Sequence, residues 1–586
     1  MAEPVRYSLS WQDANDHLFD IAIAFTAPVD EPRLHLPAWR PGRYAIQNYA
    51  ANVRQWSAEG EGGRALAIRK DGKSSWRIQA RRGEDVTVRY RYFAGILDAG
   101  SSFLDASEAY FNGTNLFMWI DGLRDQTASL VVHVPESWAI ETQLPRRSDG
   151  TFLARDYDHL IDSPTIASAS LVRHAFEENG ATIHLVFTAA DRIDTGQFVE
   201  PLRAIVRSQA ALFGGLPFSE YRFLFHGGDR WHGVEHEESC SIVFQRTQLL
   251  NAKKGDDAYD HLLSIASHEL FHVWNVKRII PALFLPYDYT AETTTRLLWA
   301  MEGITSYYGD LTLARCGVWD VPRYLEHLRK EMQTLEGLPG REVMSLAQAS
   351  FDSWLHDPSH MHDKANAWFS FYNKGELVAA VLDLTIRSKT AGAHSLDDVI
   401  RAMWEEYGRS VQEVIQGGAG AHPRGLEEDA IERIAGRVTG LDLRELFEHY
   451  VEGTDPLPYA ELLAWAGVEW SAAPEPRIEL GVRARASERC LIADSIIAGA
   501  PAAEAGMLPG DEIVAVGRER TASDADLVRA LAVASASEPT EILFARNGTV
   551  RSAFAVLRSD PVPRIALRLI ESPTSEQRAF RDAWLG

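Results

Sequence analysis

Residues 264–281, SIASHELFHVWNVKRIIP, restrict this chain more than any other stretch. They contain His268-Glu269-Leu270-Phe271-His272, two histidines four residues apart with a glutamate beside the first. On a helix, residues four apart share a face, so both imidazoles can grip one cation from a single element. Glu269 then stands where it can take a proton from an activated water. Asp256 or Asp257 can cap the start of this helix, and Leu262, Leu263, Ile265, Ala266, Leu270 and Phe271 supply its apolar face. Lys277 and Arg278 suit its C-terminal end, and Pro281 is expected to stop it. A chance pattern on a core helix is the plain alternative, so the motif has to be weighed with its surroundings.

A zinc site needs a third protein ligand and an open position for water. Downstream, residues 297–310 (LLWAMEGITSYYGD) form an apolar helical segment with one acid, Glu302, in its middle. A carboxylate there is either a solvated helix residue or a buried one that has found a cation. The preceding two-histidine helix favours the second reading.

Together, His268, Glu269, His272 and Glu302 resemble the gluzincins, thermolysin-like peptidases with two His ligands and one Glu. Residues 286–310 (PYDYTAETTTRLLWAMEGITSYYGD) and 36–50 (LPAWRPGRYAIQNYA) resemble the glycyl-aminopeptidase family of bacterial zinc peptidases. The resemblance implies one Zn²⁺ per chain on His268, His272 and Glu302, with Glu269 as the base. It also implies a preference for small N-terminal residues such as Gly and Ala. Many gluzincins place an acid four residues after the third ligand to orient a zinc-bound His. Here that position is Ser306, and Asp310 is the candidate substitute.

The chain has 586 residues and a net charge of −23, which argues against nucleic acid or an anionic membrane as a partner. Cys240, Cys316 and Cys490 are widely spaced and form no disulfide framework or zinc knuckle. The N-terminus lacks a basic segment followed by an apolar one, and no run reaches membrane-span length. The chain therefore reads as soluble and cytoplasmic, or periplasmic or secreted if a signal has been removed.

Residues 1–170 read as a β domain. Phe19, Ile21, Ile23 and Phe25 alternate with other residues, as do Val88, Tyr90 and Tyr92, and 130–134 is a further short strand. Trp39 and Tyr44, beside the turn at Pro41-Gly42, are either a functional rim or packing aromatics. Residues 171–471 read as a thermolysin-like catalytic domain, helical from about 311. Strands are expected at Ile183–Phe187 positions 183, 185 and 187, at 221–225 and at 241–244. Between the last two lies 226–239 (HGGDRWHGVEHEES), a glycine-rich, charged loop well placed to meet substrate. Its GVEH is similar to the G-x-M-E-N signature of the larger gluzincin aminopeptidase branch. By that resemblance Glu235 binds the substrate's α-ammonium, while His236 stands where the branch has Asn. A solvated acidic loop is the alternative, since Glu237 and Glu238 are acidic too.

Helices are expected at 323–336, 367–387, 396–407 and 441–452. Within the second, 369–378 (FSFYNKGELV) resembles the Y-x-K-G segment of the same branch, whose Tyr hydrogen-bonds the oxyanion. That makes Tyr372 the oxyanion donor, unless it is simply core among Trp368, Phe369 and Phe371. Residues 416–425 read as a flexible loop and 472–476 as a linker. Residues 476–560 resemble a PDZ domain, with Leu480-Gly481-Val482 as its carboxylate loop, Ala500-Pro501-Ala502, Ala505-Gly506-Met507 and Gly510-Asp511-Glu512-Ile513 as its turns, and 526–534 as its long helix. Such domains bind a peptide C-terminus by strand addition. Residues 561–586 read as a charged tail with a helix ending near Trp584.

The fold class expected is multidomain α+β: an N-terminal β-sheet domain, a thermolysin-like catalytic domain with a helical C-terminal part, and a PDZ domain. The function expected is a zinc aminopeptidase acting on peptides with a free N-terminus. A PDZ-regulated zinc endopeptidase and a non-catalytic peptide-binding scaffold remain the alternatives.

Overall fold

The computed structural model describes residues 4–355, 361, 363–417, 422–473, 478–487, 490–536, 538–559 and 562–586. The chain forms two units. One comprises Met1–Thr293, Tyr308–Val318 and Met403–Glu427, the other Thr294–Tyr307, Trp319–Ala402 and Glu428–Gly586.

The first unit begins with β structure, as its alternating pattern predicts. A seven-stranded sheet contains Val5–Ser10, Leu18–Thr26 and Asp85–Phe93 as neighbours. Phe19, Ile21, Ile23, Val88, Tyr90 and Tyr92 all point inward, into one apolar core. The strand expected at 130–134 is Ala128–Val132, parallel to Val5–Ser10. Trp39 and Tyr44 are packing residues. Trp39 is buried with its Nε1 donating to the Asp288 carbonyl at 2.7 Å, and Tyr44 lies parallel to Phe284.

A second sheet follows. It runs Val172–Glu178, β1 (Ala181–Thr188), β2 (Glu220–Gly228), β3 (Ser239–Gln245) and, at its edge, β4 (His232–Glu235). The first label pair is joined by a helix, Val199–Phe213, so β1 and β2 are parallel, as crossover connections require. The expected glycine-rich loop is largely strand: β2 extends through Gly228, and β4 pairs antiparallel with β3 from His232–Val243 to Glu235–Cys240. Its glycines serve close packing instead of turning. A methyl group on Gly233 would lie 2.1 Å from the Glu269 Oε1.

Helix α1, Asp257–Phe271, lies beneath this sheet with Asp256 as its N-cap residue. It ends well before Pro281, contrary to the sequence expectation. Lys277 and Arg278 are not C-terminal helix charges. Lys277 is drawn to Asp162 at 2.8 Å, and the Arg278 Nη1 donates to the carbonyls of Val273 and Glu237. Buried charges need partners, and both find them away from the helix end.

The second unit is helical and then β. Glu302 lies in a π-turn, Trp299–Gly303, that leads into α2 (Ile304–Arg315). The helix expected at 323–336 is Val321–Glu336. The one expected at 367–387 is α3, Phe371–Lys389, preceded by a separate turn, Lys364–Ala367. The break has a cause: Gly340 presses against the Trp368 backbone, where a methyl group would lie 2.5 Å from the Trp368 nitrogen. The helix expected at 396–407 is Leu396–Met403, continued by a π-turn at Trp404–Gly408, and the one expected at 441–452 is the shorter Arg444–Tyr450.

Most of the 416–425 loop's centre (418–421), the end of the 472–476 linker and Arg477 lie outside the described residues. Ala472 and Ala473 are the end of a strand, β5 (Val468–Ala473). The PDZ module has its own core around Leu491, Ile513, Leu531 and Ile542. Gly481 has φ +74°, and a methyl group there would lie 2.1 Å from the Ala500 Cβ, so only glycine suits this position. The expected charged tail is not a tail. β6 (Arg564–Leu569) pairs antiparallel with β5, and α4 (Ser575–Leu585) is capped by a reciprocal Thr574–Gln577 box. Trp584 is fully buried and donates from Nε1 to the Tyr307 hydroxyl at 2.9 Å. Burial of that indole outweighs the helix's charged residues in fixing its place. The PDZ module is thus an insertion between two paired strands. Among the described residues no helix is long and apolar enough to cross a membrane.

Candidate active site

Within the first unit, α1 presents His268 and His272 from one face. Their Nε2 atoms lie 3.0 Å apart. The His272 Nδ1 is 2.7 Å from the Asn275 carbonyl, so Nδ1 carries the proton and Nε2 keeps its lone pair. Two ligands at 2.0–2.1 Å from a tetrahedral zinc are separated by about 3.3 Å, close to this spacing. The donor set therefore fits a divalent metal. The orienting group that the sequence left open is a main-chain carbonyl, produced by the chain turning out of α1 immediately after His272. Asp310, the substitute acid expected there, accepts from the Ser264 hydroxyl at 2.7 Å. Gly309 lets its helix come close: a methyl group would meet the His268 backbone at 3.2 Å.

Glu269 and Glu235 are both buried, and their carboxylates and a His272 nitrogen all lie within 4.8 Å of one another. The Glu235 Oε1 is buried with no hydrogen-bond partner among the described residues. An anion in that state costs free energy unless a cation joins it. The edge strand β4 carries Glu235 to this place, and Gly233, two residues earlier, gives Glu269 room against the strand.

His236 is turned elsewhere. Its Nδ1 lies 3.1 Å from Asp162, whose carboxylate also accepts from Lys277 and from the Glu237 amide. Burial would raise the Asp162 carboxyl, but Lys277 and His236 outweigh it and hold it well below the usual range. Glu237 and Glu238, the rival acids, part ways too. Glu237 is bound by Arg155, which holds it low against the effect of burial, and burial raises Glu238.

In the second unit, Glu302 is 2% exposed, within a π-turn of the kind that often marks functional positions. Tyr372 lies in the first turn of α3, half-buried and stacked on Phe371. It is only partly buried, unlike its neighbours Phe371 and Asn373. Sequence reasoning missed Gly42, Asp162, Gly233 and Asn275. Two carried a signal: Gly42, in the W-R-P-G-R-Y run that reads as a turn, and Gly233, in the G-V-E-H run that reads as a loop.

The sequence matches three family models: the peptidase M61 N-terminal domain over residues 6–169, the M61 glycyl aminopeptidase over residues 261–378, and a PDZ domain over residues 492–546. The second spans both histidines, Glu302 and Tyr372. The chain thus carries matches to both M61 peptidase models and to a PDZ domain. A solved aminopeptidase N family protein from Idiomarina loihiensis is 27% identical, with a TM-score of 0.91 over 99% of this chain and 100% of that one. An M1 zinc metallopeptidase from Deinococcus radiodurans aligns at 15% identity and a TM-score of 0.47, over 78% of this chain and 95% of that one. No curated protein matches the sequence. With its M61 peptidase matches and its PDZ domain, the protein is a metallo-aminopeptidase.

Proposed function

We propose that this glycyl aminopeptidase relative removes small N-terminal residues, Gly and Ala, from peptides, with one zinc ion on His268, His272 and Glu302. The 3.0 Å approach of the two Nε2 atoms, above a pair of buried carboxylates, carries the reading. When bound, zinc supplies the positive charge that acidifies a water and polarises the peptide carbonyl. Glu269 takes the proton of the attacking water and passes it to the leaving amine. The Tyr372 hydroxyl donates to the developing oxyanion. Glu235 pairs with the α-ammonium and so measures one residue from the free end; its unpartnered Oε1 supports this role. His236 is assigned no contact with substrate. The PDZ sheet ends in the strand Val482–Ala486, to which a peptide C-terminus would add.

Aminoacyl reporter substrates, free and N-acetylated, with and without chelator, test the scheme. Free Gly and Ala substrates should be cut, chelator should abolish cutting, and zinc should restore it. The acetylated forms should be cut at least about tenfold more slowly, because they leave Glu235 unpaired. Equal cleavage of both forms would instead make the enzyme an endopeptidase.

A further inference from the structure

Glu235 is held from two sides by residues far from it in sequence. On one side is the turn at Pro41-Gly42. Gly42 has φ +77°, and a methyl group there would lie 2.4 Å from the Glu235 Oε2 and 2.6 Å from Oε1. The turn backbone is therefore a wall against which the carboxylate rests. On the other side is Asp162. One of its oxygens accepts from the His236 Nδ1 at 3.1 Å and the Lys277 Nζ at 2.8 Å, and the other accepts from the Glu237 amide at 2.8 Å. Asp162 thereby ties down both residues that follow Glu235, where β4 has already ended. Lys277, only 9% exposed, is bound to it, and the Glu235 charge reaches Lys277. No neutral side chain could gather one ammonium, one imidazole and one amide in this way.

We propose that Asp162 is the positioning residue of the substrate-ammonium site. Together with the Gly42 wall, it fixes the distance from Glu235 to the histidine pair and so sets which peptide bond is cut. This rests on the reading of Glu235 as the ammonium anchor.

Asp162→Asn keeps the volume and one acceptor but loses the charge. It should raise KM for a free-amine Ala reporter at least tenfold, change kcat and zinc content little, and leave the N-acetylated reporter within twofold of wild type. The double variant Asp162→Asn, Lys277→Met also removes the ammonium that the single variant would leave facing a neutral amide, so it carries the same test if the single variant folds poorly. In a Glu235→Ala background, Asp162→Asn should not alter the free-to-acetylated ratio further, as expected of residues acting as one unit. Gly42→Ala should reproduce the loss of discrimination. Unchanged discrimination in the Asp162 variants, or equal losses on both reporters, overturns the proposal. If the wild type itself fails to discriminate, the ammonium-anchor reading falls first and this one with it.

Discussion

Gly303 and Gly375 touch backbone to backbone: a methyl group on Gly303 would lie 2.4 Å from the Gly375 Cα. One glycine directly follows Glu302, and the other lies three residues after Tyr372. The π-turn and α3 thus cross with no side chain between them. Gly303→Ala should force them apart at a cost of about 1–3 kcal/mol and lower both melting temperature and activity. Gly375→Ala would place its methyl 2.7 Å from the Trp299 carbonyl oxygen and should act alike. Unchanged melting in both would show that the crossing tolerates a side chain.

Glu269→Gln should keep zinc and lose about 10²–10⁴-fold in turnover, because an amide cannot accept the water's proton. Metal analysis beside steady-state kinetics checks this. Near-normal turnover would assign the base role to another group.

Gly233→Ala should damage the same residue without changing its chemistry. The added methyl sits 2.1 Å from the Glu269 Oε1, so the carboxylate must move or β4 must bend. Turnover should fall at least tenfold, since small misplacements of a catalytic group are costly. Full activity at unchanged zinc content would count against the proposed placement of Glu269.

Lys374 supplies a pH test. Its Nζ is buried over the Phe369 ring without a hydrogen-bond partner among the described residues. Burial, aided by Arg341, pushes its ammonium down to about 8 from 10.5. The unfolded chain therefore binds more protons between those values, so this residue's penalty is complete below pH 8 and fades as pH rises toward 10.5. Lys374→Met should stabilise the protein at pH 7 by on the order of 2–3 kcal/mol and by much less at high pH. Paired thermal melts at pH 7 and pH 9.5 measure it; an advantage that does not shrink would contradict the assignment.

The PDZ insertion predicts a contrast between two deletions. Truncation before residue 478 also removes β6 and α4, and with them the Trp584–Tyr307 bond. It should destabilise the catalytic helices. Excising only 478–559, with a short linker from β5 to β6, should preserve folding and cleavage of small reporters, because Ala473 and Arg564 are paired neighbours. Equal behaviour of the two proteins in melting and assay would refute the contrast.

Chemistry was easier to read in this sequence than boundaries. His268, Glu269, His272 and Glu302 stand out as candidates because a metal would demand particular residue types at particular spacing, and the structure gathers His268, His272 and Glu302 into one possible ligand group. The strands around Phe19–Phe25 positions and Val88–Tyr92 positions were legible because one face of a sheet must be apolar. The end of α1 was not, because Lys277 and Arg278 suit a helix terminus equally well, and their real partners, Asp162 and the Glu237 carbonyl, lie far away in sequence. The 226–239 stretch misled for a related reason. Glycine marks turns and also marks places where backbone meets side chain, and only the fold shows that Gly233 meets Glu269. Trp584 looked like part of a polar tail because the residue that receives it, Tyr307, is 277 positions earlier.

That separation bears on when the fold can close during synthesis. Domains form in order as a chain leaves the ribosome. Residues 268–272 emerge some three hundred residues before α4, yet α2 and α3 must wait for Trp584, which seals the buried Tyr307–Asp383 contact between them. A nascent chain therefore carries His268 and His272 long before Trp584 can brace Tyr307. Synthesis itself would leave this bracing contact unmade until α4 has emerged.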